Sequence, residues 1–243
     1  MLISAKTDVG LKRATNQDCF EFGQLEKGAV TWAVVCDGMG GMAAGNVASA
    51  EAVRVISQSL KNNLTPKSTP SFINNLLKTS IESANAAIYD MAIKDEALRG
   101  MGTTVVAVVI VKGVAYFAHV GDSRAYCYFE RALRQITTDH SVVQTMVDTG
   151  QITVDEAKNH PNKNIITRAL GIAPYVDIDF AENQLKENEV IILCSDGLTN
   201  CIDDELLALS ASDNDFETLA DRLVDLANQN GGNDNITVVA VKI

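Results

Sequence analysis

The chain has 243 residues, of which 47% are hydrophobic, 21% are charged and only 4 are Pro, a globular composition that excludes collagen-like, low-complexity and disordered chains. Asp and Glu total 31 against 20 Lys and Arg, a formal net charge of −11, and no basic stripe offers the counterion exchange that nucleic-acid binding requires. No apolar run reaches the roughly 18 residues of a membrane span, and the opening residues lack the basic and apolar regions of a secretion signal. The expectation is a single cytoplasmic domain, a monomer with no nucleic-acid or membrane partner.

In chain order, Thr-Trp-Ala-Val-Val-Cys over 31–36 predicts a buried strand. A helix is expected over 43–60, with Ala48, Ala52, Val55, Ile56 and Leu60 on one face, and a second over 71–94, striped by Ile73, Leu77, Ile81, Ala84, Ile88 and Met91. Apolar runs over 103–111, 114–120 and 123–129 follow one another with breaks at Lys112-Gly113 and Gly121-Asp122, which predicts an antiparallel meander. Residues 141–165 are polar with no strong stripe, as a small inserted flap would be. A strand over 189–195, a helix over 215–229 ended by Gly231 and a last strand over 236–243 complete the chain. Helices and strands come in groups, which argues for antiparallel sheets covered by helices over a regular βαβ alternation. The five Cys are odd in number and form no C-x-x-C pair, so neither a disulfide framework nor a thiolate zinc site is expected.

Asp recurs where apolar runs end: Asp37-Gly38, Asp122, Asp196-Gly197 and Asn233-Asp234-Asn235, with Asn16-Gln17-Asp18 near the start. Each alone is an ordinary turn former. Asp37-Gly38 and Asp196-Gly197 lead toward helical sequence, however, so hairpin turns do not account for them. If the strands lie side by side, several carboxylates meet. Two like charges 4 Å apart repel by about 4 kcal/mol at an effective dielectric of about 20, so such a group takes up protons or holds cations. All-oxygen ligands favour Mg²⁺, Mn²⁺ or Ca²⁺ over Zn²⁺. No stretch has the spacing of a calcium loop, and ligands drawn from distant segments suit a two-metal hydrolytic site. Gly38-Met-Gly-Gly-Met-Ala43 matches a dinucleotide-binding glycine pattern, but no strand ending in an acid follows it. The three His show no H-E-x-x-H spacing, and no G-x-S-x-G elbow is present.

Taken in order, Arg13-Ala-Thr-Asn-Gln-Asp18, Val35-Cys-Asp-Gly-Met-Gly-Gly41, Met101-Gly-Thr-Thr104, His119-Val-Gly-Asp-Ser-Arg-Ala-Tyr126, Thr138-Asp-His-Ser141, Ser195-Asp-Gly-Leu198 and Gly232-Asn-Asp-Asn-Ile-Thr237 resemble the metal-dependent PPM family of Ser/Thr protein phosphatases (type 2C), in its compact bacterial form. The resemblance implies an α+β fold, a four-layer αββα sandwich of two antiparallel sheets flanked by helices, with the flap at 141–165. It implies two core ions, Mn²⁺ or Mg²⁺. Asp37 bridges them, the Gly38 carbonyl binds one, Asp196 and Asp234 hold the first, and Asp18 supports the second through water. A third, weaker position falls at Asp122 and Asp196, and Arg13 grips the substrate phosphate.

The implied reaction is attack on phosphoserine or phosphothreonine by a water bridging the ions, and the implied partners are phosphorylated proteins, including a Ser/Thr kinase. Met39 stands where many eukaryotic relatives carry a proton-donating His, which leaves the general acid unassigned; metal-bound water is the first candidate and His140 a distant second. A family member without turnover that binds a partner or a phosphorylated ligand is the competing expectation, and a metal-dependent phosphodiesterase acting on nucleotides a weaker one.

Overall fold

The computed structural model describes residues 1–40, 44–212 and 215–243. Its strands are β1 (Leu2–Asp8), β2 (Asp18–Leu25), β3 (Val30–Met39), β4 (Gly102–Thr103), β5 (Val105–Val111), β6 (Val114–Val120), β7 (Arg124–Phe129), β8 (Ala132–Gln135), β9 (Asp179–Gln184), β10 (Val190–Cys194) and β11 (Ile236–Lys242). Its helices are α1 (Ala44–Asn63), α2 (Pro70–Lys94), α3 (Val142–Asp148), α4 (Val154–Lys158), α5 (Asp196–Thr199), α6 (Asp204–Ala211) and α7 (Leu219–Gln229). One sheet runs β1-β11-β10-β7-β8 and the other β2-β3-β5-β6-β9, with the short β4 paired to β3.

Side-chain alternation makes the layers. Successive residues of a strand point to opposite faces, and a strand covered on both faces must be apolar at every position. Along β3, Trp32, Val34 and Cys36 pack with α1 and α2 residues such as Ile56 and Leu77, whereas Ala33 and Val35 pack with Val239 and Val241 of the other sheet. In β10, Val190, Ile192 and Cys194 meet Leu207, Leu219 and Leu223 of the second helical layer, and Ile191 and Leu193 face the seam between the sheets. The result is helix, sheet, sheet, helix, the four-layer sandwich expected from the resemblance. Among the described residues no helix is long and apolar enough to cross a membrane.

Several sequence expectations change. The proposed meander breaks after its second strand. β5 and β6 pair as a hairpin, but β7 crosses to the other sheet and pairs with β10 and β8. The crossing is made at Gly121 (φ +106°), a left-handed position suited to Gly. The run over 103–111 is interrupted at Thr104, which separates β4 from β5. β3 continues through Asp37 and Gly38 to Met39, so these residues sit within the strand. The last helix starts at Leu219, with Phe216 buried ahead of it. Residues 141–165, expected to form a flap, hold α3 and α4, the latter opened by a Thr153/Glu156 capping box. Gly41, Met42 and Ala43, which belong to the glycine pattern and to the expected start of the first helix, lie outside the described residues. All five Cys are free thiols.

Candidate active site

The same alternation delivers the carboxylates. Positions 33 and 35 of β3 face the seam, so Asp37 does too, at the strand's end. Asp18 is its register partner on β2, two residues before Phe20, which also packs into the seam. From the other sheet, Asp196 opens α5 directly after β10, and Asp234 precedes β11. Asp122 lies in the crossing between β6 and β7. One end of the seam therefore gathers acids from five separate stretches of chain. A cleft of about 250 Å³ opens there, lined by Arg13, Asp37, Gly38, Met39, Thr104, Asp122, Asn164, Ile166, Asp196 and Asp234 among others. Asp18 is not on its wall. It sits behind, accepting hydrogen bonds at Oδ2 from the Ser195 and Thr237 hydroxyls, both at 2.7 Å.

Close backbone approach makes the convergence possible. A Cβ on Gly38 would fall 2.1 Å from the Gly45 carbonyl oxygen and 2.6 Å from that of Gln17. One on Gly197 would fall 1.9 Å from the Asn235 carbonyl oxygen. Hydrogen bonds fix the rest. The Thr104 hydroxyl accepts from the Asp37 N–H (2.9 Å) and shares a 2.7 Å bond with Ser123. Asn235 accepts from the Gln17 N–H and donates to the Val9 and Thr15 carbonyls, which staples the loop carrying Arg13 to the start of β11. Sequence reasoning assigned no role to Thr104, Ser195, Asn235 or Thr237. Ser195, Asn235 and Thr237 share short motifs with the acids, and Thr104 closes the motif Met101-Gly-Thr-Thr104, which has none.

The electrostatics are those of crowded anions. Enclosure by the protein, then repulsion from Asp18, Asp196, Asp122 and Asp234, pushes the Asp37 carboxyl well above its ordinary value. Enclosure also raises Asp18 to about 7, against the two hydroxyl donors that favour its charged form. Asp122 rises to about 7 through enclosure and the charge of Asp196. Asp196 rises for the same reason with Asp234 as its neighbour, opposed by hydrogen bonds from Asp37 and Asn200. Asp18 Oδ1 and Asp196 Oδ1 are buried without a hydrogen-bond partner, although buried carboxylate oxygens normally have one. An all-oxygen set with unpartnered anionic atoms fits hard divalent cations. Arg13 supplies positive charge at the rim, donating from Nη2 to Asp234 Oδ2 at 2.7 Å.

A second cluster, His119, His140 and Asp179, brings its potential ligand atoms within 4.8 Å of one another. Its hydrogen bonds argue against a cation. His140 Nδ1 accepts from the Gly121 N–H (3.1 Å), which leaves the ring proton on Nε2, 3.3 Å from Asp179 Oδ2. Arg168 Nη1 lies 2.8 Å from Asp179 Oδ1 and 3.2 Å from that same Nε2, so a guanidinium already holds the cation's place. His119 stacks on His140 with centroids 4.6 Å apart and bonds the Thr138 carbonyl. The knot braces the Gly121–Asp122 crossing, and His140, which is not on the cleft wall, is badly placed to protonate a leaving group.

Comparison with known proteins agrees with this fold. Residues 12–238 match the family model for protein phosphatase 2C. The chain is 40% identical over 239 residues to the serine/threonine phosphatase stp of Listeria welshimeri, covering 98% of this chain and 94% of that protein. It superposes on the serine/threonine phosphatase of S. agalactiae with a TM-score of 0.91 at 38% identity, covering 98% of each chain. It also superposes on the catalytic domain of the phosphatase PstP in complex with two manganese ions, with a TM-score of 0.87 at 32% identity, covering 100% of this chain and 98% of that one. A matched segment that runs from the loop of Arg13 into the last strand takes in every carboxylate of the cleft, and the chain belongs to the protein phosphatase 2C family.

Proposed function

We propose that this cleft removes phosphate from phosphoserine and phosphothreonine in proteins, using Mn²⁺ or Mg²⁺, and that the whole chain is one catalytic domain, with 141–165 as its flap. Support comes from the names of the relatives, Ser/Thr phosphatases, and from the two manganese ions in the PstP structure. The observation that carries the site assignment is the convergence of half-buried carboxylates from remote segments beside Arg13. Asp37, the Gly38 carbonyl, Asp196 and Asp234 are the proposed ligands of two core ions, Asp18 the support of the second, and Asp122 with Asp196 a third position. When bound, divalent cations lower the pKa of coordinated water and offset charge on phosphate oxygens.

The chain's own residues divide the remaining work. Arg13, half exposed at the mouth, offers a planar fork of donors suited to two phosphate oxygens. Its bond to Asp234 holds it in place until phosphate arrives. Thr104, bonded to the Asp37 N–H, fixes the strand end that carries that carboxylate. Met39 has no proton to give. A kinase that adds the phosphates is the natural counterpart of such an enzyme, and a monomer in the cytosol its expected setting.

The test is phosphate release from a phosphothreonine peptide. Activity should need added Mn²⁺, vanish with EDTA and fall at least a hundredfold in Asp37→Asn, while Arg13→Ala should chiefly raise KM. Turnover unchanged by EDTA, or retained in Asp37→Asn, would overturn the assignment.

A further inference from the structure

We propose that Met39 and Ile172 form an apolar seat at the mouth of the cleft, and that it selects phosphopeptides carrying a large apolar side chain within two residues of the phosphorylated Ser or Thr. The proposal rests on the phosphatase reading and adds the substrate class.

The seat is built on Gly102. This residue pairs with Met39 across β3 and β4 and has no side chain of its own. Met39 Cε and Ile172 Cδ1 reach 2.8 and 2.9 Å from the point where a Gly102 Cβ would stand. The two tips therefore converge over one spot, and Met39 belongs to the same cleft wall as Asp37 and Ile166.

Ile172 is 50% exposed, and its surroundings hold it there. Asn85, buried in the middle of α2, accepts from the Gly171 N–H at 2.8 Å and donates to the Ala173 carbonyl at 3.0 Å. One enclosed side chain thus grips the backbone on both sides of a half-exposed isoleucine. Just before it, Leu170 exchanges backbone hydrogen bonds of 3.1 and 2.8 Å with Thr103. A scattered surface apolar residue needs no explanation, but one whose backbone is clamped by a buried amide is presented in a fixed place. Such pre-organisation lowers the ordering cost of binding.

Geometry supplies the register. Met39 lies two positions beyond Asp37 on β3, on the same face, so the seat begins about 7 Å from the acidic centre. An extended peptide advances roughly 3.3 Å per residue. A substrate whose phosphate sits among the carboxylates therefore lays a side chain one or two positions away over Met39 and Ile172. No charged residue takes part in the seat, so the side chain it accepts is apolar.

The experiment compares kcat/KM for matched phosphothreonine peptides with Leu or Ser at the flanking positions, for the unmodified enzyme, Ile172→Ser and Ile172→Leu, with p-nitrophenyl phosphate as a substrate that has no flanking residues. The unmodified enzyme should prefer a Leu peptide by about tenfold, the scale of a hydrophobic subsite. Ile172→Ser should bring the ratio near one, and Ile172→Leu should keep it. Equal kcat/KM on both peptides with p-nitrophenyl phosphate still hydrolysed, or an undiminished preference in Ile172→Ser, would overturn the seat and leave the phosphatase reading standing. Failure to hydrolyse any of the substrates with Mn²⁺ present would sink both.

Discussion

Replacing Asp18 by Asn should make the metal-free protein more stable and the metal-bound protein less so. Enclosure lifts the Asp18 carboxyl from 3.8 to about 7, and one pKa unit corresponds to about 1.4 kcal/mol, so holding it ionised in the fold costs up to about 4 kcal/mol. With the folded value raised, its contribution to stability is complete below about 3.8 and is lost as pH rises through about 7. The amide keeps an oxygen for the Ser195 and Thr237 hydroxyls and places an N–H where Oδ1 has no partner. A kilocalorie shifts the melting temperature of a domain this size by roughly 2–4 °C. Because the folded protein relaxes around a buried charge, a gain of roughly 4–8 °C in EDTA at pH 8 is expected, about half the ceiling. The gain should be smaller at pH 5.5. In Mn²⁺ at a hundred times its dissociation constant, the unmodified protein should gain about 2.7 kcal/mol, most of which Asp18→Asn forgoes. Differential scanning fluorimetry in EDTA and in Mn²⁺ at both pH values reads all four states. If Asp18→Asn melts below the unmodified protein in EDTA at pH 8, or its advantage does not grow with pH, an enclosed and destabilised Asp18 carboxylate is the wrong description.

Two further substitutions probe the scaffold. Gly38→Ala drives a methyl into two backbone carbonyls and should cost about 3 kcal/mol or more, seen as a lowered denaturation midpoint; a midpoint unchanged within error would refute the close approach. His140→Leu leaves the enclosed Gly121 N–H without its acceptor and should cost about 1–3 kcal/mol, whereas His140→Asn, whose Oδ1 stands near the position of Nδ1, should recover much of it. Equal midpoints for the two variants would refute the brace.

The strands that were legible in the sequence are those covered on both faces, such as β5, whose seven positions are all buried. β2 and β9 escaped notice because they are half exposed and polar: Asp179-Phe-Ala-Glu-Asn-Gln184 is a strand only because β6 offers it an edge. The crossing from β6 to β7 was hidden because Gly121-Asp122 reads like any turn. Asp37, Asp122, Asp196 and Asp234 could be proposed from their places after or before apolar runs, since a strand's end fixes where its next side chain emerges. The bond between Arg13 and Asp234, 221 residues apart, and the grip of Asn85 on the loop of Ile172 had no local trace, because each depends on how distant elements dock.

Asp18 and Asp37 ride on one sheet, while Asp196 and Asp234 are carried by the strands of the other. The two halves of the sandwich are thus like the covers of a book, with mutually repelling corners at one margin and an oily filling of Ala33, Val35, Ile191 and Val239 between them. Divalent cations held there as proposed would offset the repulsion and draw the covers together, which would couple their grip to the tightness of the filling. A change of girth at Val239, far from any phosphate, would then be felt as a change in how firmly the ions are held.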